Sequence, residues 1–395
     1  MKISKVDVML TDLKSSDNPG WRPVVLRIYT DEGIYGDGEA AMAFGCGSEA
    51  AFGMIKDLAG LVIGMDPLEN EVIWEKLYRE SFWAQNAGPV VFSGISAIDI
   101  ALWDIKGKYY KEPVFKLLGG RMRDKLKCYA SQLQFGWDER KIPALNDRDY
   151  AKNAMKAVDE RYRAIKIDFN TYAPDGHIYS YDETSGFQDP LHIKTVVGRL
   201  KAVREAVGPD IDIIMENHAA TDVQSAVNLG RIAEEYDILF IEEPVSPDPK
   251  MNKLVADRIN IPLAQGERIY TRKGFAPYFE NGSVRLIQPD IGNSGGITEV
   301  KKICDMAQVY NVGVQIHVCG SPLLTAASLQ LEAAIGNFAI HEHHVFNRYR
   351  SNKALCICDY QPENGYFSIP ELPGLGNELS DFCFKHSIKV TVDHR

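Results

Sequence analysis

A (β/α)8 barrel with one additional α+β domain is the fold class that this sequence predicts, and three observations predict it. Glu216, Glu242 and Glu267 each close a short apolar run (IDIIMEN, LFIEEP, IPLAQGE) at intervals of about 25 residues, the repeat of successive βα units. From about Leu126 onward, strand-like runs alternate with helix-period stripes, which favours a parallel sheet; the number of strands favours closure over a doubly wound sheet. A chain of 395 residues with 45% apolar content can bury a large core, and it exceeds ordinary barrel length by enough for a second domain.

The first 125 residues read as the α+β unit. From Met1 to about Ala40 short runs alternate apolar and polar residues, broken at Asn18-Pro19-Gly20 and Asp31-Glu32-Gly33, which is hairpin or meander grammar. From about Ser48 to Leu118 the period becomes helical. In SGISAIDIALWDIKGK the residues Ile95, Ile98, Ile100, Ala101, Trp103 and Ile105 cover enough of the circumference for a helix buried on several sides. The barrel is assigned to residues 126–354, with strands at 127–130, 164–168, 211–216, 240–242, 263–266, 286–288, 313–317 and 339–341. Ile193, Val196, Val197, Leu200, Val203 and Val207 form one helical stripe, stopped by Gly208-Pro209. The next helix opens on Thr221-x-x-Gln224, a capping-box spelling, and TEVKKICDMAQVY turns Val300, Ile303, Cys304 and Ala307 inward. Residues 169–190 are too long and too rich in Gly, Pro and Asp for an ordinary βα loop. They either cover a ligand at the barrel mouth or pack as a surface insertion on the small domain or another subunit. After about Leu355 the chain reads as an extended tail (355–395) returning to the first domain, which is then assembled from both chain ends.

The net charge of −10 disfavours a nucleic-acid or anionic-membrane partner, leaving a small molecule as the expected one. MKISKVDVML alternates like a strand and lacks the apolar core of a signal peptide, and no apolar run is long enough to span a bilayer. A soluble, cytoplasmic protein is expected. Its seven cysteines show no metal-knuckle spacing and are read as reduced.

A lone glutamate at a strand end is more often a salt-bridge partner than a ligand; three in register around one mouth point to a metal. Carboxylates alone suit a hard divalent cation such as Mg2+, one per subunit, with positions left for substrate oxygens. Of Glu242 and Glu243 only one side chain can face inward, and the second is expected to pair with a cation. Asp290 after RLIQPD and His317 after VGVQIH fall on the next two strand ends. A carboxylate accepting the Nδ1 hydrogen bond orients an imidazole and raises its basicity, so the pair reads as a general base rather than a satisfied core histidine. His218, two residues past Glu216, faces the same pocket from another side. Lys166 and Asp168 in AIKID share the inward face, either as substrate contacts or as a buried ion pair that only shapes the site. Glu342 in AIHEHH, at the eighth strand end, is placed to donate to a developing enolate oxygen if burial keeps it protonated.

In combination, the glutamate spacing, IEEP, QGER, QPDIGNSGGITE, the Asp290–His317 pair and the closing NGY and PGLG resemble the enolase superfamily, mandelate racemase group. The Glu-x-His at 216–218 is similar to the Asp-x-His of D-galactonate and D-mannonate dehydratases. The resemblance spans nearly the whole chain. It implies a modified (β/α)8 TIM barrel under a capping domain built from the N-terminal region and the tail, together with Mg2+. It also implies a sugar-acid substrate, proton abstraction next to a carboxylate, and a homo-oligomer between dimer and octamer. In the expected dehydration His317, oriented by Asp290, removes the C2 proton and His218 protonates the departing 3-hydroxyl; Lys166 steadies the substrate carboxylate and Glu342 donates to it. Two departures bear on this. Racemases of the group carry Lys-x-Lys where this chain has Lys166-Ile167-Asp168, which disfavours two-base racemisation, and Glu216 stands where many relatives have Asp. The alternatives are an epimerase of a 2-hydroxy acid and a poorly active regulatory or binding protein that keeps the site.

Overall fold

The computed structural model describes residues 1–13, 17–18, 20–86 and 88–394; Pro19 of the Asn18-Pro19-Gly20 break lies outside the described residues. Near the N-terminus β1 (Ile3–Thr11), β2 (Val24–Thr30) and β3 (Tyr35–Ala40) form an antiparallel meander. The helix Pro89–Tyr110 lies directly against this sheet. Gly36 and Gly38 of β3 permit that approach: a Cβ on either would collide with the backbone carbonyl of Ala101 or Ala97. The all-round apolar spelling of this helix follows, because its other faces meet the helix Ser48–Val62 and the barrel helix Gly296–Val309.

The barrel strands are β4 (Lys125–Ser131), β5 (Ala164–Asp168), β6 (Asp212–Glu216), β7 (Ile238–Glu242), β8 (Leu263–Gln265), β9 (Leu286–Ile287), β10 (Gly313–Val314) and β11 (His341–His344). They pair in parallel in the order β10-β9-β8-β7-β6-β5-β4-β11, and a bridge from Val314 to Phe338, just before β11, joins the two ends of this path. Most strands match the expected spans to within two residues, and the seventh and eighth depart further. The seventh pairs continuously only at Gly313–Val314 and meets its neighbour again at Asp290↔His317, because Pro289 has no N–H to continue the ladder. The eighth is displaced to His341–His344: residues 337–339 are used against Val314, and pairing with β4 begins only at His341. The helix after β6 also starts one residue late. Asp222 caps it by accepting from Gln224 N and Ser225 N, while Thr221 Oγ1 donates to Pro244 O at 2.7 Å.

The tail divides its contacts. β12 (Tyr366–Ser368) pairs antiparallel with barrel strand β4, and β13 (Ser387–Val392) pairs with β1. The expected return to the first domain is therefore made by the last strand together with residues 374–379, where Leu375 N and Leu379 N donate to Asp104 and Asp37, while β12 packs on the barrel. All seven cysteines are free, and among the described residues no helix is long and apolar enough to cross a membrane.

Candidate active site

Parallel pairing aligns Asp168 with Glu216 and Glu216 with Glu242, so three acids stand side by side at the ends of β5, β6 and β7. Below them Tyr129, Ile214, Phe240, Leu286 and Ile340 plug the barrel interior. Glu267 joins from the loop after β8 because Gly266 lets the chain pass against the backbone of Gln288, where any side chain would clash. One oxygen from each of Glu216, Glu242 and Glu267 lies within 4.8 Å of the others. Glu216 Oε2 is buried, and the Lys166 ammonium lies 3.1 Å from it without a hydrogen bond. Burial, then the neighbouring Glu216, push the Glu242 carboxyl well above the usual range. Three converging carboxylates, two of them fully buried over a single shared ammonium, are a set of hard oxygens that fits a hard divalent cation. Glu243 turns away, its backbone left-handed at φ 45°, and its carboxylate is held by Arg268.

Two of the expected substrate contacts, Lys166 and Glu342, are enclosed among other charges. Lys166 is fully enclosed, its ammonium 2.7 Å from Glu242, 2.9 Å from Glu342 and 3.1 Å from Glu216. Burial alone would discharge it, but Glu242 and Glu342 hold it protonated. It is a counter-charge to these three acids, and it does not pair with Asp168. Glu342 is not a neutral donor: it accepts from Ser131 Oγ at 2.6 Å and Val318 N at 3.0 Å. Burial favours its protonation, yet Lys166 and His317 hold it well below the ordinary carboxylate range. Inward alternation was legible for both residues; how many charges surround them was not.

The two catalytic candidates are histidine–carboxylate pairs. His317 Nδ1 lies 2.7 Å from Asp290, leaving Nε2 directed to the mouth 3.2 Å from Glu267. His218 Nδ1 lies 2.6 Å from Asp168, leaving Nε2 3.4 Å from Gln132 Nε2 and 3.9 Å from Glu216. Burial lowers the pKa of both rings, but Glu267 and Glu342 raise His317, and Glu216 and Asp168 raise His218, each to about 10. Neutralising Glu216 and Glu267 would remove the largest acidic support of each ring. His218 and Ala219 have φ 45° and 55°, the left-handed region where non-glycine residues carry strain. Glu216 Oε1 holds that turn by accepting from Asn217 N and His218 N, both at 3.0 Å.

These groups open onto a cavity of about 560 Å³. Asp168, His218, Glu267 and His317 line it from the barrel, and Ala41, Met42, Phe44 and Pro89 from the N-terminal region. Residues 169–190 contribute Asn170, Thr171, Tyr172, Ile178 and Tyr179, so the first part of this insertion lies at the mouth. Gln132, Lys141, Arg268 and His344 also line it and were not anticipated as site residues. His344 had a signal, being two residues from Glu342 on the inward face. Its Nδ1 accepts from Phe346 N at 3.1 Å, which places the ring proton on Nε2. Lys141 and Gln132 lie on a loop whose path has no sequence period.

Residues 20–119 match the N-terminal domain model of mandelate racemase / muconate lactonizing enzyme, and residues 149–382 match the enolase C-terminal domain-like model. The chain is 33% identical to a D-xylonate dehydratase of Haloferax volcanii, over 94% of this chain and 87% of that protein. It is 32% identical to a D-galactonate dehydratase of Cronobacter sakazakii, over 92% and 90%. The crystal structure of a member of the enolase superfamily from Salmonella Typhimurium superposes with a TM-score of 0.95, at 49% identity and 99% coverage of both chains.

Proposed function

The chain belongs to the mandelate racemase / muconate lactonizing enzyme family of the enolase superfamily, and from that premise we propose that it is an acid-sugar dehydratase, a hydro-lyase. The observation that carries this reading is the pair of histidine–carboxylate dyads, His317–Asp290 and His218–Asp168, facing one carboxylate cluster from different strands. A dehydration needs a base at one carbon and an acid at the next, and two separately oriented imidazoles supply both.

Glu216, Glu242 and Glu267 would hold Mg2+, which when bound supplies the positive charge that lowers the cost of an enediolate. Asp290 holds the His317 ring with Nε2 toward the cavity, where it takes the proton from C2 of the sugar acid. Asp168 fixes His218 in the same way, so Nε2 carries the proton to the 3-hydroxyl. The C3–O bond then breaks with its electron pair, water leaves, and the enol tautomerises to a 2-keto-3-deoxy acid. Lys166 keeps the carboxylate cluster assembled from beneath. Because it is enclosed, an epimerase would have to use His218 as its second base.

Mutation separates the two steps. His317→Asn should abolish both C2 deuterium exchange and product, whereas His218→Asn should lose product by about 10²–10⁴-fold while exchange persists. Undiminished dehydration by correctly folded His218→Asn would remove the acid assignment, and exchange with inversion but no loss of water would favour the epimerase.

A further inference from the structure

Among the described residues, the charged groups lining the cavity are matched except one. Arg268 is held by Glu243, His218 by Asp168, and His317 by Asp290 and Glu267, but no acid lies within ion-pair distance of Lys141. Lys141 lies on the loop between β4 and the helix Asp147–Asp159, and that loop is tied down. Ile142 N donates to Phe135 O at 2.7 Å, Ala144 N to Gln134 O at 2.9 Å, and Lys141 N to Asp17 O at 3.2 Å. The half-buried ammonium sits 4.6 Å from the Phe135 ring centroid, and Phe135 is itself fixed against Phe346 and Tyr172. Burial lowers the Lys141 pKa, with no acid to oppose it. A cation that gives up hydration for a ring face alone has an unused capacity for an anion. In a chain with net charge −10, acids are plentiful, yet among the described residues none forms an ion pair with this ammonium.

On the dehydratase reading the reacting end of the cavity receives one carboxylate, and Lys141 belongs to the aromatic wall made with Phe135 and Tyr172. We propose that the substrate is a dianion, a sugar acid with a second acidic group remote from the reacting carbon, and that Lys141 receives that group. This rests on the dehydratase reading above. A second carboxylate and a terminal phosphate share the chemistry.

Purified enzyme with Mg2+ is to be assayed for 2-keto acid on galactarate and glucarate, on 6-phosphogluconate, and on the single acids galactonate, gluconate and xylonate. One dianionic class should have the highest kcat/KM, and which one distinguishes carboxylate from phosphate. Lys141→Met should lower the dianion-to-monoanion ratio on the order of 10–100-fold, chiefly through KM, while Lys141→Arg keeps most of it. Rising ionic strength should lower that ratio in the unmodified enzyme and not in Lys141→Met. Preference for single acids, or a ratio unmoved by Lys141→Met, overturns the inference while leaving the dehydratase reading intact. If no acid is dehydrated, calorimetry on the same compounds separates the two: Lys141-dependent preference for dianions keeps the subsite while the dehydratase reading falls, and its absence removes both.

Discussion

Lys166 shows how far a residue's role depends on its neighbours. Its inward direction follows from strand alternation, but its three carboxylate partners come from β6, β7 and β11. Removing one partner of a buried ionic group typically costs about 3–5 kcal/mol. Lys166→Met should therefore destabilise the metal-free protein by that order, and saturating Mg2+ should recover part of the loss, read as thermal midpoints with and without the ion. A variant equally stable in both states would show that Lys166 is not the counter-charge. Glu242→Gln should reduce Mg2+ affinity by more than the about 10–100-fold that losing an outer-shell partner costs. Unchanged calorimetric affinity would take Glu242 out of the proposed ligand set.

At the scale of elements, the seam between the helix Pro89–Tyr110 and the helix Gly296–Val309 depends on close backbone approach. Gly295 N and Gly296 N donate to Ser96 Oγ at 2.9 and 3.0 Å, and Thr298 N donates to Asp99 at 2.9 Å. Gly296 has φ 79°, and a Cβ there would run into the Asp99 carboxylate. Gly296→Ala should cost about 1–3 kcal/mol, from the left-handed backbone alone, in denaturant unfolding; a neutral result would mean the seam can relax. The same seam gives a pH dependence. Burial raises Asp99 to about 7, and elsewhere in the cap it raises Glu39 to about 7 and Asp104 to about 6. The folded state then keeps protons that the unfolded state has released, so this contribution is present below about pH 4 and lost as pH rises through 6–7. The thermal midpoint should be higher at pH 5 than at pH 7.5, and Asp99→Asn should narrow the gap. Helix stripes and glutamate-bearing strands were legible here because period and turn chemistry are local. The shortened seventh strand and displaced eighth were not, because a strand so short is defined by its partners.

For the whole molecule, the cavity wall is shared: Met42, Phe44 and Pro89 come from the N-terminal region, and β13 closes the edge of the sheet on which that region is built. Asp7 at the centre of β1 accepts from Thr391 Oγ1 at 2.6 Å. Deleting residues 387–395 should lower the thermal midpoint and expose the edge of β1 to pairing between molecules, visible as light scattering. A truncated chain that stays monodisperse with an unchanged midpoint would show that β1 does not need this partner.

The barrel class, the alternation of elements and the strand-end acids were determined by the sequence itself, because side-chain period and turn residues act within a few positions of the chain. Glu216, Glu242, Glu267, Asp290 and His317 were therefore singled out from spacing alone. Only the tertiary structure decided that Asp168 serves His218, that Lys166 and Glu342 lie enclosed beneath the cluster, and that Lys141 faces the cavity without an acid. Charge pairing inside a barrel is a competition among side chains from different strands, and its outcome depends on distances that no single stretch of sequence contains.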